Sequence, residues 1–200
     1  SAPDELVARA VELGLTGLAA TDHAGLYGAV RFASAAGEAG IHPVIGTEVE
    51  FVDPAVADPD QIVIPARRAR RGRRASVRGP RSVLLARSQV GWRSLSRLLS
   101  RANMAGTKGA PRMSHALLEA DHQDVLVLSG GRGGEVGRRL LVGDLAGARA
   151  AAERLMAMVG RDALCIEVSH HLRPDDDWLV AASVALAASL RLPMVVTNAV

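Results

Sequence analysis

Short apolar segments alternate with amphipathic segments along most of the chain. Short apolar runs that end in polar side chains are typical of buried strands, whereas apolar residues three and four positions apart are typical of helices. On this basis the sequence predicts six strands, at 16–22, 43–51, 82–86, 125–128, 164–168 and 194–198. It predicts helices at about 3–14, 27–39, 92–102, 114–120, 134–142, 144–159 and 174–190.

The alternation of strands and helices defines the predicted fold class, which is α/β. Strands that are apolar throughout predict a parallel sheet covered on both faces, and segment 16–22 is itself expected to be buried on both faces. An open doubly wound sheet and a closed barrel both satisfy this pattern. No Gly-x-Gly-x-x-Gly or phosphate-loop motif supports the open sheet. Polar residues gather at the predicted strand ends, as they do in barrels, so we favour a barrel.

The length also bears on that barrel. The 200 residues predict a single domain over 1–200. A complete barrel of this kind takes roughly 250 residues. The predicted order begins with a helix and ends with a strand, so we expect the barrel to lack its first strand and its last unit.

Composition narrows the class of protein. Apolar residues make up 48% of the chain and aromatic residues only 2%, so the core must be built from Ala, Val, Leu and Ile. The single cysteine, Cys165, excludes an intrachain disulfide and a cysteine metal cage. No segment approaches the roughly 20 apolar residues that span a bilayer, and the start of the sequence is acidic where a secretory leader is basic. We therefore expect a cytoplasmic protein without membrane contact.

Charge is distributed very unevenly. Between Gln61 and Arg112 there are fourteen Lys or Arg and no Asp or Glu, whereas the remaining residues sum to a net charge of −11. Repulsion within the densest part predicts a mobile basic loop at about 65–80. Such a loop could attract a phosphate backbone, or it could be a solvated surface without a partner. The candidate nucleic-acid-binding residues are Arg67, Arg68, Arg70, Arg71, Arg73 and Arg74.

The candidate chemistry lies where the first predicted strand ends, in Asp22-His23. A histidine beside a carboxylate serves in metal ligation and in acid–base work. The alternative is structural: Asp22 caps the next helix and His23 is a surface residue. Glu48 occupies the second predicted strand, and His170 follows the fifth, where it could face the same cleft.

Several segments, in the same order, resemble the polymerase-and-histidinol-phosphatase (PHP) domain, in the form found at the N-terminus of bacterial C-family DNA polymerases, the DNA polymerase III alpha subunits. The segment that begins at Glu167-Val168-Ser169-His170-His171 is similar to the error-prone branch, which acts in damage-induced mutagenesis and repair. The principal matching segments are Pro3–Ala10, Leu18–His23, Tyr27–Phe32, Val44–Glu48, Val83–Ala86, Leu128–Gly130 and Pro193–Asn198.

The resemblance implies a distorted (β/α)7 TIM-like barrel with a divalent metal site for Zn, Mn or Mg. By position, His23 and Glu48 match metal ligands, and Asp22 matches a residue that orients them. Arg81 and Gly131 stand where the family has further ligands, and Ala199 stands where it has an aspartate. The implied site is therefore degenerate, with metal binding weak or absent.

Three functions remain open at this stage. The first is the PHP portion of an error-prone DNA polymerase, structural in role, with the remainder of the polymerase chain, DNA and other replisome or mutagenesis subunits as partners. DNA-directed DNA synthesis would then reside in a palm domain that these residues do not contain. The second is a stand-alone metal-dependent phosphoesterase or 3′–5′ exonuclease. The third is a basic nucleic-acid-binding module.

Overall fold

The computed structural model describes residues 3–52, 79–107 and 110–197. The strands are β1 (Gly17–His23), β2 (His42–Glu50), β3 (Arg81–Ala86), β4 (Val125–Leu128), β5 (Leu164–Val168) and β6 (Met194–Val196). The helices are α1 (Pro3–Glu12), α2 (Ala29–Glu38), α3 (Gln89–Ala105), α4 (His115–Ala120), α5 (Glu135–Leu141), α6 (Leu145–Val159) and α7 (Asp176–Leu190). Each of these elements overlaps a predicted one, and two short 3₁₀ helices, Gly131–Gly133 and Arg161–Ala163, were not predicted.

The six strands form one sheet in sequence order, β1 to β6. The prediction of a parallel sheet is wrong at β3, which runs antiparallel to both β2 and β4; the other neighbouring strands are parallel. Apolar periodicity is the same in either direction, so the pattern did not reveal this reversal. Because β3 is reversed, its first residue, Arg81, lies at the edge of the sheet where β2 ends.

One face of the sheet carries the core. Leu84, Val127, Leu164 and Ile166 point towards the helices and pack with buried residues of α3, α5, α6 and α7. A smaller cluster joins α1 and α2 to the β1–β2 side of the sheet, with Phe32 at its centre. The sheet with its helices is a mixed α/β fold consistent with part of a TIM-like barrel.

The prediction that segment 16–22 is buried on both faces is wrong. Most positions of β1 are exposed or only half-buried. Among the described residues β1 pairs with β2 alone, so it is an edge strand, and only its Leu18 and Ala20 side contacts the smaller cluster. A search of the described helices finds none of the length and apolarity that a membrane crossing requires.

Candidate functional site

Strand register brings His23 and Glu48 together. The two residues are direct neighbours across the parallel pair β1–β2, so their side chains leave the sheet on the same face. His23 Nδ1 lies 3.1 Å from Glu48 Oε1. The histidine side chain is 58% exposed and the glutamate side chain 31%, so the pair is in contact with solvent. It lies where the pairing of β1 with β2 ends.

Arg81 completes this group from the reversed strand. Its Nη1 lies 3.4 Å from Glu48 Oε1 and 3.5 Å from Glu48 Oε2, while its half-buried side chain places Nε out of contact with water. That Nε has no hydrogen-bond partner among the described residues. The Glu48 carboxylate is therefore shared between an imidazole and a permanent cation.

Asp22 faces away from this group because consecutive residues of a strand point to opposite faces. Its Oδ2 accepts a hydrogen bond from the Gly28 backbone N–H at 3.0 Å, and Gly28 is the N-cap residue that precedes α2. Its side chain thus stabilises the loop that leads into α2, but among the described residues it makes no capping hydrogen bond to the helix itself. Among the described residues no hydrogen bond joins Asp22 to His23, so the role of Asp22 in orienting a metal ligand stays a prediction.

His170 is engaged within its own loop. Its Nε2 lies 2.9 Å from Asp177 Oδ1, and its Nδ1 accepts a hydrogen bond from the Leu172 N–H at 3.2 Å. Both ring nitrogens are therefore occupied by the segment that connects β5 to α7. The structure does not join His170 to His23 or Glu48 through any hydrogen bond among the described residues.

Sequence reasoning missed Glu167, which lies on the same face of the sheet as Glu48. Its Oε1 accepts a hydrogen bond from the Thr197 hydroxyl at 2.6 Å, and its backbone N–H donates to Ser129 Oγ at 2.9 Å. A Cβ added at Gly131 would lie 3.8 Å from the Glu167 carboxyl carbon. A signal was available, because Glu167 is the one charged residue inside the apolar run of β5.

The loop before α7 is held by an ion-pair cluster that the sequence did not reveal. Arg132 contacts both Asp175 and Asp176. The buried Asp176 carboxylate accepts the backbone N–H groups of Arg173 and His171. These hydrogen bonds, Arg173 first, hold the pKa of Asp176 below its usual value against the opposing effect of burial. The cluster therefore fixes the loop that carries His170.

The described residues bring together fewer donors at the strand ends than a divalent metal takes. A metal site in a protein takes three or four side-chain ligands with supporting hydrogen bonds. In the described part of the chain, no three His, Cys, Asp or Glu residues are arranged to hold a metal ion. Only His23 and Glu48 meet here, and Arg81 occupies the space beside them with positive charge.

Several candidate residues lie outside the described residues. They are the basic loop up to residue 78, with its candidate arginines Arg67, Arg68, Arg70, Arg71, Arg73 and Arg74, together with Asn198 and Ala199. The described residues before position 53 contact those after position 78: the Phe51 N–H donates to the Pro80 carbonyl at 2.9 Å, and the Gly79 N–H donates to Glu50 Oε1 at 2.6 Å. These flanking residues lie where β2 ends and β3 begins, near Glu48 and Arg81.

Comparison with known proteins identifies the family. The model of the PHP domain matches residues 1–171, and the chain belongs to this family. It is 39% identical over 200 residues to an error-prone DNA polymerase of Mycobacterium tuberculosis, covering 99% of this chain and 17% of that protein. It is 30% identical over 198 residues to the DNA polymerase III subunit alpha of Treponema pallidum, covering 99% of this chain and 16% of that subunit. The chain thus spans about a sixth of the length of these relatives.

Solved structures share the fold at low identity. An amidohydrolase from Chromobacterium violaceum with bound sulfate and no metal matches with a TM-score of 0.58 and 17% identity, covering 98% of this chain and 81% of that one. A Bifidobacterium adolescentis protein assigned as a metal-dependent phosphoesterase matches with a TM-score of 0.55 and 16% identity over the same shares. At this identity the likeness describes the fold alone.

Proposed function

We propose that this chain is the PHP portion of an error-prone DNA polymerase and that it acts as a structural module rather than as a hydrolase. Family membership and the 39% identity to an error-prone polymerase over nearly the whole chain support the first half of the proposal. The second half rests on one observation: a guanidinium, Arg81, pairs with the Glu48 carboxylate where the family is expected to hold metals.

The physical reason is electrostatic. A carboxylate that binds a divalent cation must present its oxygens to that cation, and a second positive charge at the same oxygens repels it. With Arg81 Nη1 within 3.5 Å of both Glu48 oxygens, the arginine neutralises the ligand that a metal would need. His23 would then be the one remaining candidate ligand among the described residues, and a single ligand does not hold a metal ion.

We further propose that this mixed α/β fold is part of a distorted (β/α)7 barrel whose first strand and last unit lie outside these 200 residues. The open edges of β1 and β6 among the described residues support it, as do the PHP-type relatives. The partners proposed are the remainder of the polymerase chain, DNA, and other replisome or mutagenesis subunits. Polymerase chemistry, damage-induced synthesis and a cytoplasmic location belong to that longer protein.

The decisive experiment measures metal content and hydrolysis on the same preparation. The purified chain is dialysed against Zn²⁺ or Mn²⁺, assayed for metal by plasma mass spectrometry, and incubated with bis(p-nitrophenyl) phosphate and with a 3′-labelled oligonucleotide. We expect less than one metal per chain and no phosphate-ester hydrolysis above a blank. Two or more metals per chain together with metal-dependent hydrolysis would instead establish the phosphoesterase or exonuclease alternative.

A further inference from the structure

The outer face of α3 carries a row of arginines with few acidic neighbours. Arg93, Arg97 and Arg101 are spaced four residues apart, so they lie on one side of the helix, about 6 Å apart along its axis. All three side chains are exposed at the surface. From Gly79 to Leu118 the chain contains no Asp or Glu, so no acid within this stretch offsets the row.

Two of these arginines, Arg97 and Arg101, are held in place by the buried carboxylate of Asp121. The Asp121 carboxylate, which is 9% exposed, accepts Arg97 Nε at 3.0 Å and Arg101 Nη1 at 2.6 Å. One negative charge is thus shared by two guanidinium groups, and the pair keeps a net positive charge. Arg97 also donates from Nη2 to Ser94 Oγ, and each guanidinium keeps further N–H donors beyond these bonds. Such fixed donors lose little conformational entropy when they bind a ligand.

The third arginine of the row, Arg93, and one further arginine, Arg112, have no anionic side-chain partner among the described residues. The Arg112 backbone N–H donates to the Ala102 carbonyl at 2.9 Å, which places Arg112 beside the C-terminal end of α3. The ridge therefore consists of Arg93, Arg97, Arg101 and Arg112.

Arginines on other helices differ in this respect. On α6, Arg149 pairs with Glu153 and Arg154 pairs with Glu135; on α1, Arg9 pairs with Glu12. In each of these exposed pairs the two opposite charges offset each other, so the arginine attracts an anionic ligand only weakly. The α3 ridge instead keeps an excess of positive charge over the roughly 12 Å between Arg93 and Arg101, because its four arginines share one acidic partner, Asp121.

We propose that the α3 ridge binds the phosphate backbone of nucleic acid. Arginine forks match phosphate oxygens geometrically, and a row of them along one strip suits a polyanion better than a single acidic group. Contacts to phosphate oxygens carry no information about the bases, so binding by these arginines is independent of sequence. The inference rests on the proposed function only for the choice of DNA as the ligand, and it is separate from the basic loop.

The test is a salt titration of DNA binding by the complete 200-residue chain. Fluorescence anisotropy of a labelled oligonucleotide, single-stranded or duplex, is measured from roughly 50 to 200 mM NaCl. The test variant is Arg93→Gln with Arg112→Gln, because neither residue supports a buried carboxylate. The control variant, Arg31→Gln with Arg149→Gln, removes the same charge from α2 and α6, where both arginines have acidic partners.

We expect the test variant to bind more weakly and to lower the slope of log Kd against log salt by about 1.4 on single strands and about 1.8 on duplex DNA. The control variant should keep the slope of the unaltered chain. Both variants are repeated in a background in which the six arginines of the basic loop are glutamines, and the α3 effect should persist there.

Three results would overturn the proposal: no measurable DNA binding by the unaltered chain, an unchanged slope in the test variant, or an equal fall in both variants, which would indicate net charge alone. None of these results bears on metal content or hydrolysis. Failure of this inference therefore stays distinct from failure of the proposed function.

Discussion

At the scale of single residues, Arg81 decides what the strand-end site can do. Its identity was visible in the sequence, but its contact with Glu48 depends on the reversed direction of β3. We expect Arg81→His to raise the affinity for Zn²⁺ at least tenfold, because it removes a cation and supplies a third ligand beside His23 and Glu48. Competition with a chromogenic chelator at neutral pH measures the change.

The matched control for that change is Arg81→Gln, which removes the charge without supplying a ligand. A modest gain in Zn²⁺ affinity is expected from Arg81→Gln, smaller than the gain from Arg81→His. Equal affinities for the two variants would mean that repulsion alone excludes the metal. No gain in either variant would mean that the site is unsuited to a metal for another reason, and the proposed role of Arg81 would be wrong.

Asp121 is a second residue whose chemistry follows from its contacts. Burial opposes its ionisation, but the hydrogen bonds from Arg97 and Arg101 outweigh burial and hold the pKa of this carboxyl below its usual value. Replacing it with Asn should lower the free energy of unfolding by roughly 1–3 kcal/mol at pH 7, since two charge-assisted bonds are lost. Urea denaturation followed by circular dichroism measures the loss.

The loss of unfolding free energy caused by Asp121→Asn should become smaller as the pH falls. A carboxyl whose pKa is lower in the folded state stabilises the protein above its unfolded pKa of about 3.9 and loses this effect as the pH falls through its folded value. The difference between the native chain and Asp121→Asn should therefore be constant from about pH 5 upwards and shrink below pH 4. Glu119→Gln, at an exposed position of α4 two residues before Asp121, should change neither the stability nor its pH dependence. A difference between the native chain and Asp121→Asn that grew in acid would refute this account.

At the scale of elements, the turn after β4 sets the position of β3. Gly130 has φ +83°, and a Cβ added there would lie 1.9 Å from the Arg81 carbonyl oxygen. Gly143 has a similar φ of +78°, but a Cβ there would meet nothing within 4 Å. Gly143→Ala should therefore cost only the conformational penalty of about 1–2 kcal/mol, while Gly130→Ala should cost more because β3 must shift. Thermal unfolding compares them, and equal losses would contradict the close approach.

The same elements show what the sequence can and cannot predict. Helices such as α6 and α7 were located closely because apolar spacing and end residues are local properties. The direction of β3 was missed because a reversed apolar strand has the same pattern, and the exposure of β1 was missed because burial depends on which strands lie beside it. His23 was named from its place beside Asp22 and Glu48 from the family resemblance, and their role as metal ligands stays a prediction. The contacts of Glu167 and the Arg132–Asp176 contact depend on pairing across 38 to 44 positions.

At the scale of the whole molecule, the core is divided. The larger cluster joins β2 to β5 with α3 to α7, and the smaller one consists of Val7, Ala10, Phe32, Ala36 and Ile41. His23 lies on β1, which in the described structure packs against the smaller cluster through Leu18 and Ala20. Arg81 lies on β3, whose Leu84 belongs to the larger cluster. The candidate site therefore spans two parts of the molecule that different cores stabilise.

This division predicts local rather than uniform opening. Phe32 is 1% exposed, so Phe32→Ala should remove about 3–5 kcal/mol from the smaller cluster. Hydrogen exchange followed by mass spectrometry should then show faster exchange in α1, β1 and α2, with β4, β5 and α6 still protected. Leu155→Ala, in the larger cluster, is the matched control and should speed exchange in α6 and β5 first. If Phe32→Ala instead accelerated exchange equally along the chain, the two clusters would be one cooperative unit, and His23 and Arg81 would be held together by a single core.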